Sequence, residues 1–176
     1  MIDTIAIVAA VLVGALLVYA AFRPNLFHVR RSVSIKASPE RIFALINDFH
    51  NWDAWSPYEK MDPAMRRIFH GAHRGNGAVY EWESESNKPG IGRMEIIESS
   101  PLSKIVIQLD LAEPIEAINI VEFTLAAEGD QTIASWDMRG PNPYIGKLIG
   151  IFFNRDSMVG RDFEQGLANL KTIAER

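Results

Sequence analysis

The chain has 176 residues, 48% hydrophobic and 23% charged, with a net charge of −4, a length and balance that suit one domain around a single core. It contains no cysteine, which excludes disulfide scaffolds, thiolate chemistry and the commonest zinc sites and leaves the redox compartment open. Beyond residue 31 there are 15 Lys and Arg against 21 Asp and Glu and no basic stripe with interleaved aromatics, so nucleic acid is not an expected partner.

Ile5 to Phe22, IAIVAAVLVGALLVYAAF, is eighteen uncharged and mostly apolar residues, the length of a membrane-spanning helix. Asp3 and Thr4 are placed to cap it and Pro24 to end it. Val18-Tyr19-Ala20 would also serve as a signal-peptide cleavage site, but Met1-Ile2-Asp3-Thr4 carries an acid and no basic residue, which favours an uncleaved anchor. Arg23, Arg30 and Arg31 follow the span while only Asp3 precedes it, so the positive-inside rule puts the domain in the cytoplasm; export after cleavage is the alternative. Tyr19, Phe22 and Phe27 suit the interfacial aromatic belt. The acidic domain disfavours broad docking on an anionic leaflet, leaving the helix as the expected membrane contact.

The expected organisation is a transmembrane helix over 1–22, a basic linker over 23–31 and a folded domain over 32–176. Ser32 to Lys36 alternates around Val33 and Ile35 like a strand. Ser38-Pro39-Glu40 then offers an N-cap, a proline at the first helical position and an acid in the first turn, and Ile42, Phe43, Leu45 and Ile46 give the apolar stripe of a short helix. Asp48 to Trp55 forms a second short helix that Pro57 and Pro63 end. From Arg66 the period becomes two: Ile68 and His70, then Val79–Glu85, Arg93–Glu98, Ile105–Leu111, Ile118–Leu125 and Thr132–Met138. Turn residues separate these runs at Gly75-Asn76-Gly77, Asn87-Lys88-Pro89-Gly90, Ser100-Pro101-Leu102-Ser103, Glu113-Pro114 and Glu128-Gly129-Asp130, which makes an antiparallel meander. The last thirty residues are helical, with Ile145, Leu148, Ile149, Phe152, Val159, Phe163, Leu167 and Leu170 on one stripe. Gly160 and Gly166 cost helix stability there and point to close approach of a neighbouring backbone.

The segment VSIKASPERIFALINDFHNWDAWSP at 33–57 resembles the opening of the START-like SRPBCC superfamily, in its polyketide cyclase/dehydrase-type branch. MVGRDFEQGLANLK at 158–171 resembles that branch's last helix. The resemblance covers about Ser32 to Ala174. It implies an α+β helix-grip fold, a curved antiparallel sheet of about seven strands wrapped around a long C-terminal helix, with two short helices after the first strand. It also implies a hydrophobic cavity between sheet and last helix, with lipids or polycyclic molecules as typical ligands. No catalytic constellation comes with it.

The phrase FHNWDAWSPY at 49–58 would close the mouth of such a cavity, with Trp52 and Trp55 either plugging the barrel end or contacting ligand as a lid. Alternation in Val79–Glu85 puts Tyr80 and Trp82 on one face and Glu81, Glu83 and Glu85 on a solvated one. Met94, Ile96, Ile105, Ile107, Leu109, Trp136 and Met138 complete the inward set, facing Phe152, Asp156, Val159 and Phe163 of the helix stripe. Asp156, the one polar member, needs Arg93, Arg139 or Arg155 as partner if buried, or turns to solvent at a kink near Asn154. His70 and His73 fall on opposite strand faces and His28 and His50 stand alone, so no metal or cofactor is expected. Without G-x-S-x-G, a P-loop or G-x-G-x-x-G, nucleophilic and nucleotide-dependent catalysis lack support. The expected function is binding of a hydrophobic small molecule or lipid by a membrane-anchored domain. The alternatives are a cyclase-, dehydratase- or hydrolase-like enzyme, or an interaction module whose partner docks on the aromatic mouth.

Overall fold

A computed structural model of the protein describes residues 2–86, 89–113 and 116–176, except the side chains of Ile2, Asp3 and Arg155. The Asp3 cap, Arg155 as a partner of Asp156, and the turn positions Asn87, Lys88 and Pro114 therefore lie outside the described residues. A helix, α1 (Ile2–Ala21), leads into β1 (Leu26–Ile35) and the short helix α2 (Pro39–Ile46). A 3-10 turn (Phe49–Asn51), the single-turn α3 (Trp52–Trp55) and a second 3-10 turn (Pro57–Lys60) follow. Six strands come next: β2 (Arg66–Gly71), β3 (Ala78–Glu83), β4 (Ile91–Ser100), β5 (Lys104–Glu113), β6 (Ala117–Glu128) and β7 (Gln131–Pro141). The chain ends in α4 (Tyr144–Phe152) and α5 (Arg155–Ala174).

All seven strands form one antiparallel sheet in the order β1-β7-β6-β5-β4-β3-β2. The six runs of period two are six strands in their expected places, closed by β1 pairing along its full length with β7. The register sets the inward residues in rows across the sheet. One row is Phe27, Gly140, Asn119, Leu109, Met94, Tyr80 and Phe69; the next is Val29, Met138, Val121, Ile107 and Ile96. A third holds Arg31, Trp136, Phe123 and Ile105. A register shift between Ile96 and Glu98 bulges β4 and puts Ile97 outside, a device that bends a sheet. α5 lies across the concave face and α2 and α3 close one end, burying Ile42, Ile46, Trp52, Trp55, Phe163, Leu167 and Leu170. This is the helix-grip arrangement.

Two expected boundaries move. The first strand starts at Leu26, so residues 26–31 are strand and not linker. Its alternation lets His28 and Arg30 point outward while Val29 enters the core and Arg31 reaches α5. The last helix is two helices. Phe153 and Asn154 leave helical geometry, and Asn154 caps α5 by accepting the Ser157 N–H on Oδ1 at 3.2 Å. The apolar stripe therefore does not run on from Phe163 to Ile145: α5 grips the sheet, and α4 turns back to pack beside α1.

Candidate functional site

The rings of 49–58 face inward. Trp55 is fully buried and Trp52 is 3% exposed, each fixed by its indole N–H: Trp52 Nε1 donates to Ile46 O at 2.9 Å and Trp55 Nε1 to Leu45 O at 3.1 Å. Asn169 of α5 donates to Trp55 O at 3.0 Å, tying the lid to the last helix. Both tryptophans thus pack inside and present almost no ring surface to solvent.

Beneath the lid the rings form one continuous cluster. Trp136 stacks on Phe163 with centroids 4.2 Å apart, while Trp55 meets Trp136 edge-on at 5.5 Å and Phe123 lies 5.0 Å from Trp136. On the far side Phe49, Tyr80 and Trp82 continue the contact. The space between sheet and α5 that the resemblance implies as a cavity is thus occupied by side chains. The described surface clefts lie elsewhere, one of about 110 Å³ between Phe49, His50, Phe69 and His73 and one of about 200 Å³ beside Ser38 and Thr132.

Two glycines of α5 shape this interface. A Cβ on Gly166 would stand 2.7 Å from the Trp136 ring and 3.1 Å from Pro57, and one on Gly160 would overlap the Arg31 guanidinium. The close approach expected from these glycines is real, but it is to side chains and not to a backbone.

Polar groups border the cluster. Tyr80 Oη donates to Glu59 Oε1 at 2.6 Å, and Arg67 donates to Glu59 Oε2 at 2.7 Å and to its carbonyl at 2.8 Å. Glu59 is nearly buried, with a 7% exposed side chain, so this closed network neutralises it and anchors the lid to β2 and β3. Burial, with Glu59 as acceptor, pushes the Tyr80 phenol above its usual range; burial, with Asp162, does the same to Tyr58.

Besides Ser56 Oγ and Asp137 Oδ1, two polar atoms on the concave face find no partner among the described residues: Trp136 Nε1, on a residue 3% exposed, and Asn119 Oδ1, also on a residue 3% exposed. One is a donor and one an acceptor, both on the concave face. Phe123 pairs with Trp136, and Asn119 lies four residues before Phe123 on β6, about 13 Å at roughly 3.3 Å per residue. Val121 and Met138 lie between them. A Cβ at Gly140, opposite Asn119, would overlap the amide oxygen and stand 2.9 Å from the Phe27 ring, so the glycine makes the room in which Asn119 sits. Asn119 was legible as the one polar residue in the inward series Val121, Phe123, Leu125, but the inward set stated above omits it.

Several expected site residues are placed otherwise. Phe152 is 70% exposed and faces away from the sheet, because it ends α4 and not the gripping helix. Asp156 turns to solvent at the Asn154 break, the second of the two placements expected for it, but its partner is Arg31 and not Arg93 or Arg139: Nη2 donates to Oδ2 at 3.0 Å while Nε donates to Glu164 at 2.7 Å. That pairing holds the Asp156 carboxyl below its usual range. Val159 and Met138 are half-buried against the core, and Tyr80, Trp82, Met94, Ile107, Trp136 and Phe163 are within it. Glu81 and Glu83 form the expected polar row, paired with Arg93 and Arg66. The histidines are not isolated. His28 pairs with Asp137, and the turn after β2 brings His73 onto His50 with ring centroids 4.8 Å apart. With Asp48 they place three ligand atoms within 4.8 Å. Asp48 Oδ1 already accepts from the His50 backbone N–H at 3.0 Å and lies 2.8 Å from its Nδ1, and Phe69 stacks on His50 at 4.3 Å.

A family model described as polyketide cyclase / dehydrase and lipid transport matches residues 27–175. Among solved structures, protein CV1439 of Chromobacterium violaceum is similar at 17% identity and a TM-score of 0.60, covering 88% of this chain and 99% of its own. Protein MLL2253 of Mesorhizobium loti is similar at 17% identity and a TM-score of 0.59, covering 84% of this chain and 96% of its own. The Aha1 dimer of Colwellia psychrerythraea matches at 17% identity and a TM-score of 0.55, with 85% and 96% covered. At such identities these likenesses carry the fold alone. No curated protein matches the chain.

Proposed function

This chain belongs to the polyketide cyclase / dehydrase and lipid transport family, and on that premise we propose that it is a membrane-tethered domain that takes a hydrophobic small molecule or lipid between its sheet and α5. The observation that carries the reading is the pair of unpartnered polar atoms, Trp136 Nε1 and Asn119 Oδ1, on a concave face lined mostly by apolar side chains. A buried donor or acceptor left unpaired costs about 1–3 kcal/mol, and a ligand with an acceptor at one end and a donor at the other would recover it. The rings now filling the interface would have to part. The short elements of the lid, held by Trp52 and Trp55 to α2 and by Asn169 to α5, are the part of the wall with the least structure of its own.

The tether is α1, whose window Thr4–Ala21 is long and apolar enough to cross a membrane and lies almost wholly outside the packed core. Retention is supported at its end, where Ala20 is fully buried and Tyr144 Oη donates to Leu17 O at 2.9 Å. Cleavage near Ala20 would remove part of a folded contact. The charge asymmetry of Arg23, Arg30 and Arg31 against Asp3 supports a domain facing the cytoplasm. Tethering keeps the domain at high local lipid concentration, so a weak site still samples its ligand.

The test is mass spectrometry of organic extracts from the purified full chain, with titration of a fluorescent fatty acyl probe read by quenching of tryptophan emission. A co-purifying hydrophobe and saturable quenching are expected. Neither extractable ligand nor saturable binding would overturn the reading.

A further inference from the structure

α4 is a second apolar element that the core does not cover. Its sequence, YIGKLIGIF, holds one charged residue, Lys147, and that side chain turns inward: it is 6% exposed and Nζ donates to Asn25 Oδ1 at 2.6 Å. The large apolar residues turn outward instead, with Ile145 65%, Ile149 46%, Phe152 70% and Phe153 62% exposed. Their spacing places Ile145, Ile149 and Phe152 on one helix face. A soluble surface helix has the opposite polarity.

The position of α4 says what covers that face. Arg23 Nη1 donates to Gly150 O at 2.7 Å and Tyr144 Oη reaches Leu17 O, so α4 lies level with residues 17–23, the end of α1. A 20-residue helix spans about 30 Å, the thickness of a bilayer's hydrocarbon core, which puts that end at the boundary between acyl chains and headgroups. Tyr19, Phe22 and Leu26 are exposed at the same level, at 59%, 85% and 68%, and continue the uncharged face of α4.

We propose that α4 is an interfacial helix whose Ile145–Ile149–Phe152 face, with Phe153, inserts into the same phospholipid leaflet from which α1 emerges. The proposal rests on reading α1 as a span. It makes the membrane contact a two-helix platform, so that the domain is held at a fixed attitude instead of swinging on a tether. Because only two residues separate α4 from α5, the platform brings the gripping helix and the Trp136 cluster it covers close to the lipid surface.

The chain has no cysteine, so single cysteines can be placed at Val11, Asp130, Ile149 and Phe152 of the full protein and labelled with an environment-sensitive dye. Vesicles of phosphatidylcholine and phosphatidylglycerol carrying nitroxide-labelled lipid then report contact. Dye at Ile149 and Phe152 should shift to the blue and lose emission to the lipid nitroxide, as should dye at Val11. Dye at Asp130, at the opposite end of the sheet beside the tip of β1, should do neither. Quenching at Val11 without quenching at Ile149 and Phe152 overturns the α4 proposal and leaves the anchor standing. No quenching at any of the four positions overturns both. Energy transfer between dyes at Ile149 on separate copies, with no lipid quenching there, would assign the face to a second copy and also overturn it.

Discussion

The guanidinium of Arg31 on β1 occupies the space that a side chain at Gly160 of α5 would need. From there Arg31 bonds Asp156 and Glu164, one on each side of the glycine, and clamps the last helix to the edge strand. Alanine in a helix is about 1 kcal/mol better than glycine, yet at position 160 it displaces the clamp and the two ion pairs that the clamp holds. Gly160→Ala should therefore be neutral or destabilising in the wild type, and stabilising by about 1 kcal/mol once Arg31→Ala has vacated the space. Urea unfolding of the four members of this cycle checks it; stabilisation in both backgrounds would remove the clamp.

Alkaline stability should depend on two tyrosines. Burial raises the Tyr58 and Tyr80 phenols above their usual value of 10.0, so the folded state favours the protonated form. Their contribution is complete below about pH 10 and is lost as pH rises from there towards the folded values. Urea midpoints should fall above pH 10, less steeply in Tyr80→Phe, which should itself lose about 1–3 kcal/mol at neutral pH by leaving Glu59 one donor short. At the acid end the sign reverses. Arg31 holds Asp156 below its usual 3.8, so that contribution is present above about pH 4 and fades below it, and it is small because the carboxylate is half in solvent.

The sheet was legible because strands announce themselves by a period of two and by turn residues, and β2 to β7 needed nothing more. β1 was misread over 26–31 because two adjacent arginines look like a linker. An edge strand with one face towards a helix can hold them, Arg30 outward and Arg31 into carboxylates that lie more than a hundred residues away. The last helix was misread because a 3.6-residue stripe continues in sequence through a change of axis. Asn154, a good cap in the middle of the run and the place where the sequence already allowed a kink, is where the stripe divides. Whether inward rings line a hollow or fill it is a matter of volumes across strands distant in sequence, which periodicity does not contain. Trp136 on Phe163, and Gly166 making room beside them, are readable only in three dimensions.

Gly166 gives a sharper steric prediction than Gly160, because its neighbours are the Trp136 indole and the Pro57 ring and neither is the free end of a flexible side chain. Gly166→Ala should destabilise by about 1–3 kcal/mol despite the gain in helix propensity, as overpacking does in a filled core. A lower melting temperature with unchanged far-ultraviolet circular dichroism is the expected result, and an unchanged or raised one would mean that the lid segment at Pro57 is loose.

The ligand reading stands or falls on Asn119. Its amide oxygen is buried without a partner among the described residues, and leucine has nearly the same branched shape without the polar atom. If the oxygen serves only the folded chain, Asn119→Leu should raise stability by about 1–3 kcal/mol and leave probe affinity alone. If it receives a donor from a bound molecule, the same substitution should still raise the stability of the unliganded protein. It should also weaken a hydroxylated or amide-bearing acyl probe about tenfold, roughly 1.4 kcal/mol, while sparing the plain hydrocarbon analogue. The second pattern is expected. Equal affinities of wild type and Asn119→Leu for both probes would show that the acceptor on β6 takes no part in binding.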